Sequence, residues 1–317
     1  MIQLAQLTPT NLLAEKTKFF ESDTYEPRFS YSQNIEPNLI QFYGQPKVKF
    51  FNQALKMTQQ SFAAQLNPIS PLATQTQVFQ AVTEACDSLK IPILKVDFSH
   101  HYLSQLRLSR STLYIRTPIQ FTLIQLKGKI HHEIETHLLR LLNHTTLSLS
   151  PPEENYDFRS TEEGLASLHS YLDQPEVIMR KTFLSYIGCF LAQSLGFRAT
   201  FTEMVKLGVS PELAWAITTR NKRGLVETEV PGGFTRDCTY LEGAVSVWQW
   251  LMSPDHQVKD LYLGRISLNQ VIDTKKVLTD FSNPDQLRFP AFIANSAKYL
   301  ATIAQIGQTN QFAQLVS

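Results

Sequence analysis

Residues 131–137 read HHEIETH. A glutamate follows His132 directly, and a further histidine arrives five positions after His132. The zinc-protease pattern H-E-x-x-H sets its histidines four apart, so that both lie on one face of a helix. Here the interval is one residue longer, H-E-x-x-x-H. On a regular α-helix five residues turn through roughly 500°, which leaves His132 and His137 about 140° apart. Two imidazoles so placed cannot share a tetrahedral ion. A single π turn removes the conflict, because it absorbs one extra residue and brings positions i and i+5 onto one face. The heptapeptide therefore predicts one of two things. Either the helix is bulged and carries a ligand pair, or it is regular and carries a polar patch in which Glu135 neighbours His131 at i+4.

Outward from this stretch, Thr117-Pro118 is expected to open a long helix that contains the heptapeptide and ends near Asn143. Before it, PILKVDF (92–98) and RSTLYIR (110–116) are short and rich in β-branched or aromatic residues, and predict two strands. The first ninety residues read mostly as helix, with one segment at 49–64 and another opened by Ser70-Pro71 and running to about Leu89. After the heptapeptide, TTLSLSPPEENYDF (145–158) is a polar loop with a Pro-Pro break. TEEGLASLHSYL (161–172) predicts a helix, and a second helix runs from Pro175 to just before Gly196. Thr200 and Glu203 form a capping-box pattern, Ser210-Pro211 opens another helix, and VETEVPGGFTRD (226–237) is a loop around two glycines. The expected fold is α+β, mainly α, with a small sheet beside the histidine-bearing helix. Residues 1–90 form a helical region packed on a 91–317 core, with no repeat or clear linker.

Composition limits what such a site could serve. The chain has 317 residues, 43% hydrophobic and 18% charged, with a formal net charge of +1. This is a globular composition with ample length for a sizeable core, and it lacks the basic excess of a nucleic-acid binder. Cys86, Cys189 and Cys238 are too few and too scattered for a disulfide framework, so a reducing cytoplasm is the expected setting. The start, MIQLAQLTPTNLLAEK, has no basic segment followed by a sustained apolar run, so no signal peptide is expected. The most apolar window, FLSYIGCFLAQSLGF (183–197), is too short for a bilayer and contains Ser185, Gln193 and Ser194. It predicts a buried helix, and no membrane partner.

A catalytic zinc normally takes three protein ligands and leaves a fourth position for water. In one large class of zinc peptidases the third ligand is a Glu on a following helix, within an E-G-[aromatic or Leu]-A run. STEEGLASLHS (160–170) supplies Glu163 in that position, expected in the first turn of its helix. The alternative is that Ser160 and Glu163 make an S-x-x-E capping box. A four-ligand structural zinc site is disfavoured, because such sites favour Cys and none of the three cysteines lies in a paired motif.

Together, HHEIETHLLR and TEEGLASLHS closely resemble the microtubule-associated tyrosine carboxypeptidases and their bacterial relatives, the QEGLA-motif proteins or flavohaemoglobin expression modulators. A third block, RNKRGLVETEVPGGFTRDCTYLEGA (220–244), is similar to the family's R-x-K-R-G … P-G-G-F-[ST]-[KR]-D-x-x-Y-L-x-G, and YEPRFSY (25–31) echoes a weaker N-terminal block. The resemblance implies a zincin-like (gluzincin-type) metallopeptidase with one zinc per chain, held by His132, His137 and Glu163, and Glu133 as the catalytic carboxylate. The sequence departs from the family at Glu135, where Gly is usual. A charged side chain there would narrow the cleft or repel an acidic substrate.

The implied chemistry is hydrolysis by a zinc-activated water, with Glu133 taking its proton and returning it to the leaving amine. Tyr240, in the third block, is the candidate donor to the oxyanion; its alternative is an ordinary core tyrosine. RSTLYIR is the candidate edge strand for an extended peptide. A carboxypeptidase must also bind a free terminal carboxylate, and Arg220, Lys222, Arg223 and Arg236 are the candidates for that role. By resemblance the substrate is a peptide or protein C-terminus, such as a tubulin-like tail with an aromatic end. The competing expectation is a non-enzymatic regulator that keeps the fold; retention of Glu133 argues against it.

Overall fold

Residues 6–63, 71–100, 102, 104–109, 111–279 and 284–316 are described by a computed structural model, and among them three strands form one sheet. Helices α1 (Leu12–Glu21), α2 (Pro37–Ile40), α3 (Val48–Ala63) and α4 (Gln75–Ser88) precede β1 (Lys95–Ser99), β2 (Leu106–Ser109) and β3 (Thr112–Arg116). The strand order is β1-β3-β2, with β1 parallel and β2 antiparallel to β3. β3 alternates as a half-buried strand should, Leu113 and Ile115 being fully buried. RSTLYIR is therefore not an edge but the middle of the sheet, and its Arg110 lies outside the described residues. The edges are β1 and β2, and β2 is a strand that its four residues LRLS did not announce.

α5 (Leu123–His132) continues through a π turn (Glu133–Leu138) into α6 (Leu139–Thr146). The expected start at Thr117-Pro118 is corrected to Leu123, because Thr122 and Gln125 cap the helix reciprocally at 3.0 and 3.3 Å. α4 likewise starts from a Thr74–Gln77 capping box, not at Ser70-Pro71; Ser70 is outside the described residues. The two caps sit side by side, Ala73 N–H donating to the Phe121 carbonyl at 2.8 Å.

α7 (Tyr156–His169) begins five residues earlier than expected, where Asn155 accepts from Phe158 N–H at 2.9 Å. Glu163 thus lies two turns inside the helix, and the capping-box alternative for Ser160 and Glu163 falls away. α8 (Arg180–Ser194) starts five residues after Pro175 and is buried as its composition demands. α9 (Phe197–Lys206) is capped by Gly196; Thr200 lies within it and returns its hydroxyl to the Gly196 carbonyl at 2.9 Å. α10 (Pro211–Lys222) opens at Ser210-Pro211 as expected, and α11 (Cys238–Leu251), α12 (Val271–Thr279) and α13 (Ser296–Thr309) follow.

The arrangement that positions the site is the crossing of α7 and α11. A Cβ on Gly164 would lie 2.2 Å from the Gly243 carbonyl carbon, and one on Gly243 would lie 2.0 Å from the Ser160 carbonyl oxygen. Only glycine at both positions lets the backbones touch, so the Gly of EEGLA fixes how closely α11 approaches the glutamate beside it. One hydrophobic cluster runs from Phe50 on α3 through Ile134, Leu165, Ile187 and Leu241 to Leu315. Phe51 of α3 stacks on Phe190 of α8 with centroids 4.1 Å apart, so the core crosses residue 90. Among the described residues no helix is long and apolar enough to cross a membrane.

Candidate metal centre and active site

The π turn expected from the histidine spacing is present, and Leu139 N–H reaches back five residues to the Ile134 carbonyl. It brings the His132 and His137 rings to a centroid distance of 4.8 Å. Both Nε2 atoms face one oxygen of Glu163, Oε2, at 3.8 and 3.5 Å respectively. One donor atom from each of the three residues lies within 4.8 Å of the others. Zinc–ligand bonds of about 2.0–2.1 Å in a tetrahedron imply donor separations of roughly 3.3 Å, so small side-chain movements suffice to close this set on an ion.

The remaining atoms of the three side chains are held from behind. His132 Nδ1 is 3.0 Å from Ser170 Oγ, whose own proton goes to the Ala166 carbonyl at 3.0 Å. Ser170 therefore accepts from His132 Nδ1–H, which leaves the lone pair on Nε2. His137 Nδ1 is 3.0 Å from Glu162 Oε1. This buried carboxylate also accepts from Arg140 at 2.6 Å and Arg265 at 3.3 Å. Glu163 divides its oxygens: Oε1 takes Arg236 at 2.5 Å and Arg159 at 3.3 Å, and Oε2 is left for the histidines. Such outer partners fix ring orientation and raise ligand basicity.

The electrostatics follow. Burial pushes the Glu163 carboxyl up, but Arg236, His137 and Arg159 hold it well below the ordinary carboxylate value. Burial also opposes a charge on His137, yet its bonds to Glu162 and Glu163 win and raise it to about 9. His132 is pushed down to about 3 by burial and by the charge on His137. One imidazole thus stands neutral and the other holds a proton that metal binding would release. Burial raises the pKa of Glu133, the residue after His132. Its Oε2 accepts from the Leu108 N–H of β2 at 3.0 Å, so the carboxylate stands between the sheet edge and the histidine pair.

The third sequence block separates into distinct jobs. Arg220 makes a two-pronged pair with buried Asp237, at 2.9 and 2.8 Å. Arg236 binds Glu163, as above. Arg223 lies over the Phe234 ring at 4.7 Å and is 3.9 Å from Asp237, and its buried Nε, like that of Arg236, has no hydrogen-bond partner among the described residues. Lys222 is fully buried, its ammonium bonded to the carbonyls of Ala192, Leu195, Val230 and Gly232 at 2.5–3.1 Å. That contradicts the expected substrate-binding role for Lys222: no substrate reaches it. Tyr240, half-buried in the first turn of α11, has its pKa raised by burial and then by the Glu163 charge, which sets its hydroxyl in the field of the cluster.

A family model described as "Microtubule-associated tyrosine carboxypeptidase" matches residues 38–314. The chain belongs to the microtubule-associated tyrosine carboxypeptidase family. It is 28% identical over 328 residues to microtubule-associated tyrosine carboxypeptidase 1 of Mus musculus, and 29% identical over 332 residues to that of Homo sapiens. Each match covers 97% of this chain and 68% of the relative.

Two further features of this carboxypeptidase-family chain fall into place. Glu135, which stands where the family resemblance leads one to expect Gly, pairs with His131 one turn back, and the His131 ring packs edge-on against Phe292 at 5.2 Å. The N-terminal echo YEPRFSY braces the third block: Phe29 N–H donates to the Val226 carbonyl at 2.9 Å, and Tyr31 Oη accepts from Gly224 N–H at 2.7 Å. Sequence reasoning missed Glu162, Ser170, Arg140, Arg159 and Arg265. Glu162 and Arg140 were within the quoted motifs, one residue before Glu163 and three after His137, but their side-chain partners are far away in sequence.

Proposed function

We propose that this chain is a zinc-dependent carboxypeptidase that removes the terminal residue from a free protein or peptide C-terminus. The observation that carries the reading is the convergence of His132, His137 and Glu163 with Glu133 alongside. Two imidazoles and one carboxylate suit zinc, and three ligands leave an open position. When bound, zinc supplies Lewis acidity that lowers the pKa of a coordinated water and polarises the scissile carbonyl.

The protein groups do the rest. Glu133, held by the Leu108 amide, takes a proton from the attacking water and delivers it to the departing amine. Its raised pKa suits a group that must both accept and donate. Tyr240 donates a hydrogen bond to the oxygen that becomes negative. Arg223 reads the terminal carboxylate: Arg220 already forks onto Asp237, Arg236 holds Glu163 at 2.5 Å and Lys222 holds four carbonyls, whereas Arg223 comes no nearer than 3.9 Å to Asp237. The outer edge of β2 offers backbone groups to an extended peptide, a role first expected of β3. The names of the mouse and human relatives support tyrosine as the removed residue and a tubulin-type tail as the substrate class.

Elemental analysis tests the metal, with one zinc per wild-type chain expected and its loss expected in His137→Ala. Mass spectrometry of digests tests the cleavage: single residues leave free C-termini and the same peptides are spared once amidated. Equal cleavage of free and amidated ends, or internal cuts only, overturns the carboxypeptidase assignment.

A further inference from the structure

A π turn is rare and is disfavoured on its own, since the chain gains little from the wider spacing and one carbonyl is passed over where α spacing resumes. Here Leu139 bonds Ile134, so the passed-over carbonyl is that of Glu135. It accepts from the Tyr262 hydroxyl at 2.8 Å, from a segment more than a hundred residues away in sequence. At the entry to the turn, the His131 carbonyl accepts from the Thr136 hydroxyl at 2.6 Å. Thr136 has a single hydroxyl proton and uses it there. Its oxygen, 2.7 Å from His169 Nδ1, must therefore accept from that nitrogen. This fixes the His169 tautomer, and Nε2 then accepts from the Tyr299 hydroxyl at 2.9 Å. Donors run one way, from Tyr299 through His169 and Thr136 to a helix carbonyl. Thr136, His169 and Tyr262 are fully buried, so water cannot replace a lost member.

We propose that Thr136, His169 and Tyr262 are positioning residues for the metal site: they hold the π turn open and so keep His132 and His137 on one face. None of the three offers an atom to the ligand cluster. Without them the segment is free to return to α spacing, which turns the imidazoles about 140° apart. Their effect on metal binding rests on the zinc reading above; their effect on the turn does not.

Zinc affinity is measured by competition with a chromophoric chelator for wild type, Thr136→Val, Thr136→Ser, Tyr262→Phe and, as a control, Tyr186→Phe. Tyr186 is a buried tyrosine whose hydroxyl ties Lys47 to Glu242 at 2.7 and 2.8 Å, away from the turn. Thr136→Val and Tyr262→Phe are expected to weaken zinc tenfold or more, within the 10–100-fold typical of lost outer-shell partners. Thr136→Ser, which keeps the hydroxyl, restores most of it, and Tyr186→Phe lowers stability but not affinity. Amide hydrogen exchange on the metal-free proteins is expected to be faster across 133–139 in the first two variants only. If Tyr262→Phe does not fold, the Thr136 pair decides. Unchanged exchange and affinity in Thr136→Val, or an equal loss of affinity in Tyr186→Phe, overturns the proposal. A wild type that binds no zinc overturns the ligand assignment instead, and the exchange comparison still decides the role of the three residues.

Discussion

Replacing Glu162 by Gln alters one atom and removes one charge, and the structure states what that charge does. The carboxylate is 1% exposed and faces Arg140, Arg265 and His137. Arg140 is itself fully buried, its other donors bonded to the carbonyls of Leu261, Gly264 and Ile266. A glutamine amide can accept from one side only; its NH₂ then meets a donor on the other. Removing one partner of a buried ion pair while leaving the other typically costs about 3–5 kcal/mol, a large part of a usual stability of about 5–15 kcal/mol. Urea unfolding of the metal-free protein isolates this loss from metal linkage. Burial pushes the Glu162 carboxyl up, but Arg140, Arg265 and His137 pull it well below the ordinary value. A carboxylate depressed in the folded state contributes stability above its unfolded pKa and loses it as pH falls through the folded one. The gap between wild type and Glu162→Gln should therefore be complete at neutral pH and close only in acid. Zinc affinity should fall about 10–100-fold, because His137 loses its charged brace. Ser170→Ala removes the neutral brace on His132 and should also weaken zinc, but at only about 0.5–1.5 kcal/mol of stability. A Glu162→Gln protein as stable as Ser170→Ala would refute the charge argument.

Glu133→Gln keeps the carbonyl that accepts from Leu108 but cannot take a proton, so turnover should fall by about 10²–10⁴-fold with zinc content unchanged; wild-type cleavage rates would remove Glu133 from the mechanism. Gly164→Ala drives a methyl into the Gly243 backbone and should cost at least the usual 1–3 kcal/mol of overpacking (roughly), with weaker zinc binding because Glu163 moves with α7; an unchanged melting temperature would show that the helices can part freely. Arg223→Lys should raise KM for free C-termini about tenfold or more, consistent with the loss of a charge-assisted, forked contact, with no change for amidated peptides, and equal KM values would send the carboxylate elsewhere. Lys222→Met should destabilise the protein without selectively raising KM; a selective rise in KM would return Lys222 to the substrate.

What could be read in advance was whatever depended on local spacing. The five-residue histidine interval left two readings, a π turn that faces the rings together or a regular helix with a polar patch, and the structure has the π turn; EEGLA supplied the carboxylate nearby. Helix starts follow reciprocal caps and not the nearby prolines, at Thr122–Gln125 and Thr74–Gln77, and Asn155 caps α7 so that it begins five residues before the TEEGLASLHSYL segment. β2 escaped because LRLS has too few residues to display a period, and it exists through pairing with β3. The arginines could be found but not assigned. Arg236 and Glu163 are 73 residues apart in sequence, and Arg220 and Asp237 are 17 apart, so only folding decides which cation is left over for a ligand.

On the zinc reading proposed above, Lys222 separates loss of the metal from loss of the loop beside it. Four carbonyls converging on one ammonium reproduce the oxygen cage that elsewhere replaces the hydration shell of a potassium ion. Here the cation is covalently tethered, so neither chelators nor dialysis can extract it. It joins the end of α8 to the Val230–Gly232 turn, four residues before Arg236. The loop bearing Arg236 and Asp237 is thus anchored independently of zinc. If the proposed zinc and carboxylate roles hold, chelation should empty the ligand trio and leave Arg223 in place, so that a C-terminal tail is still bound but no longer cut.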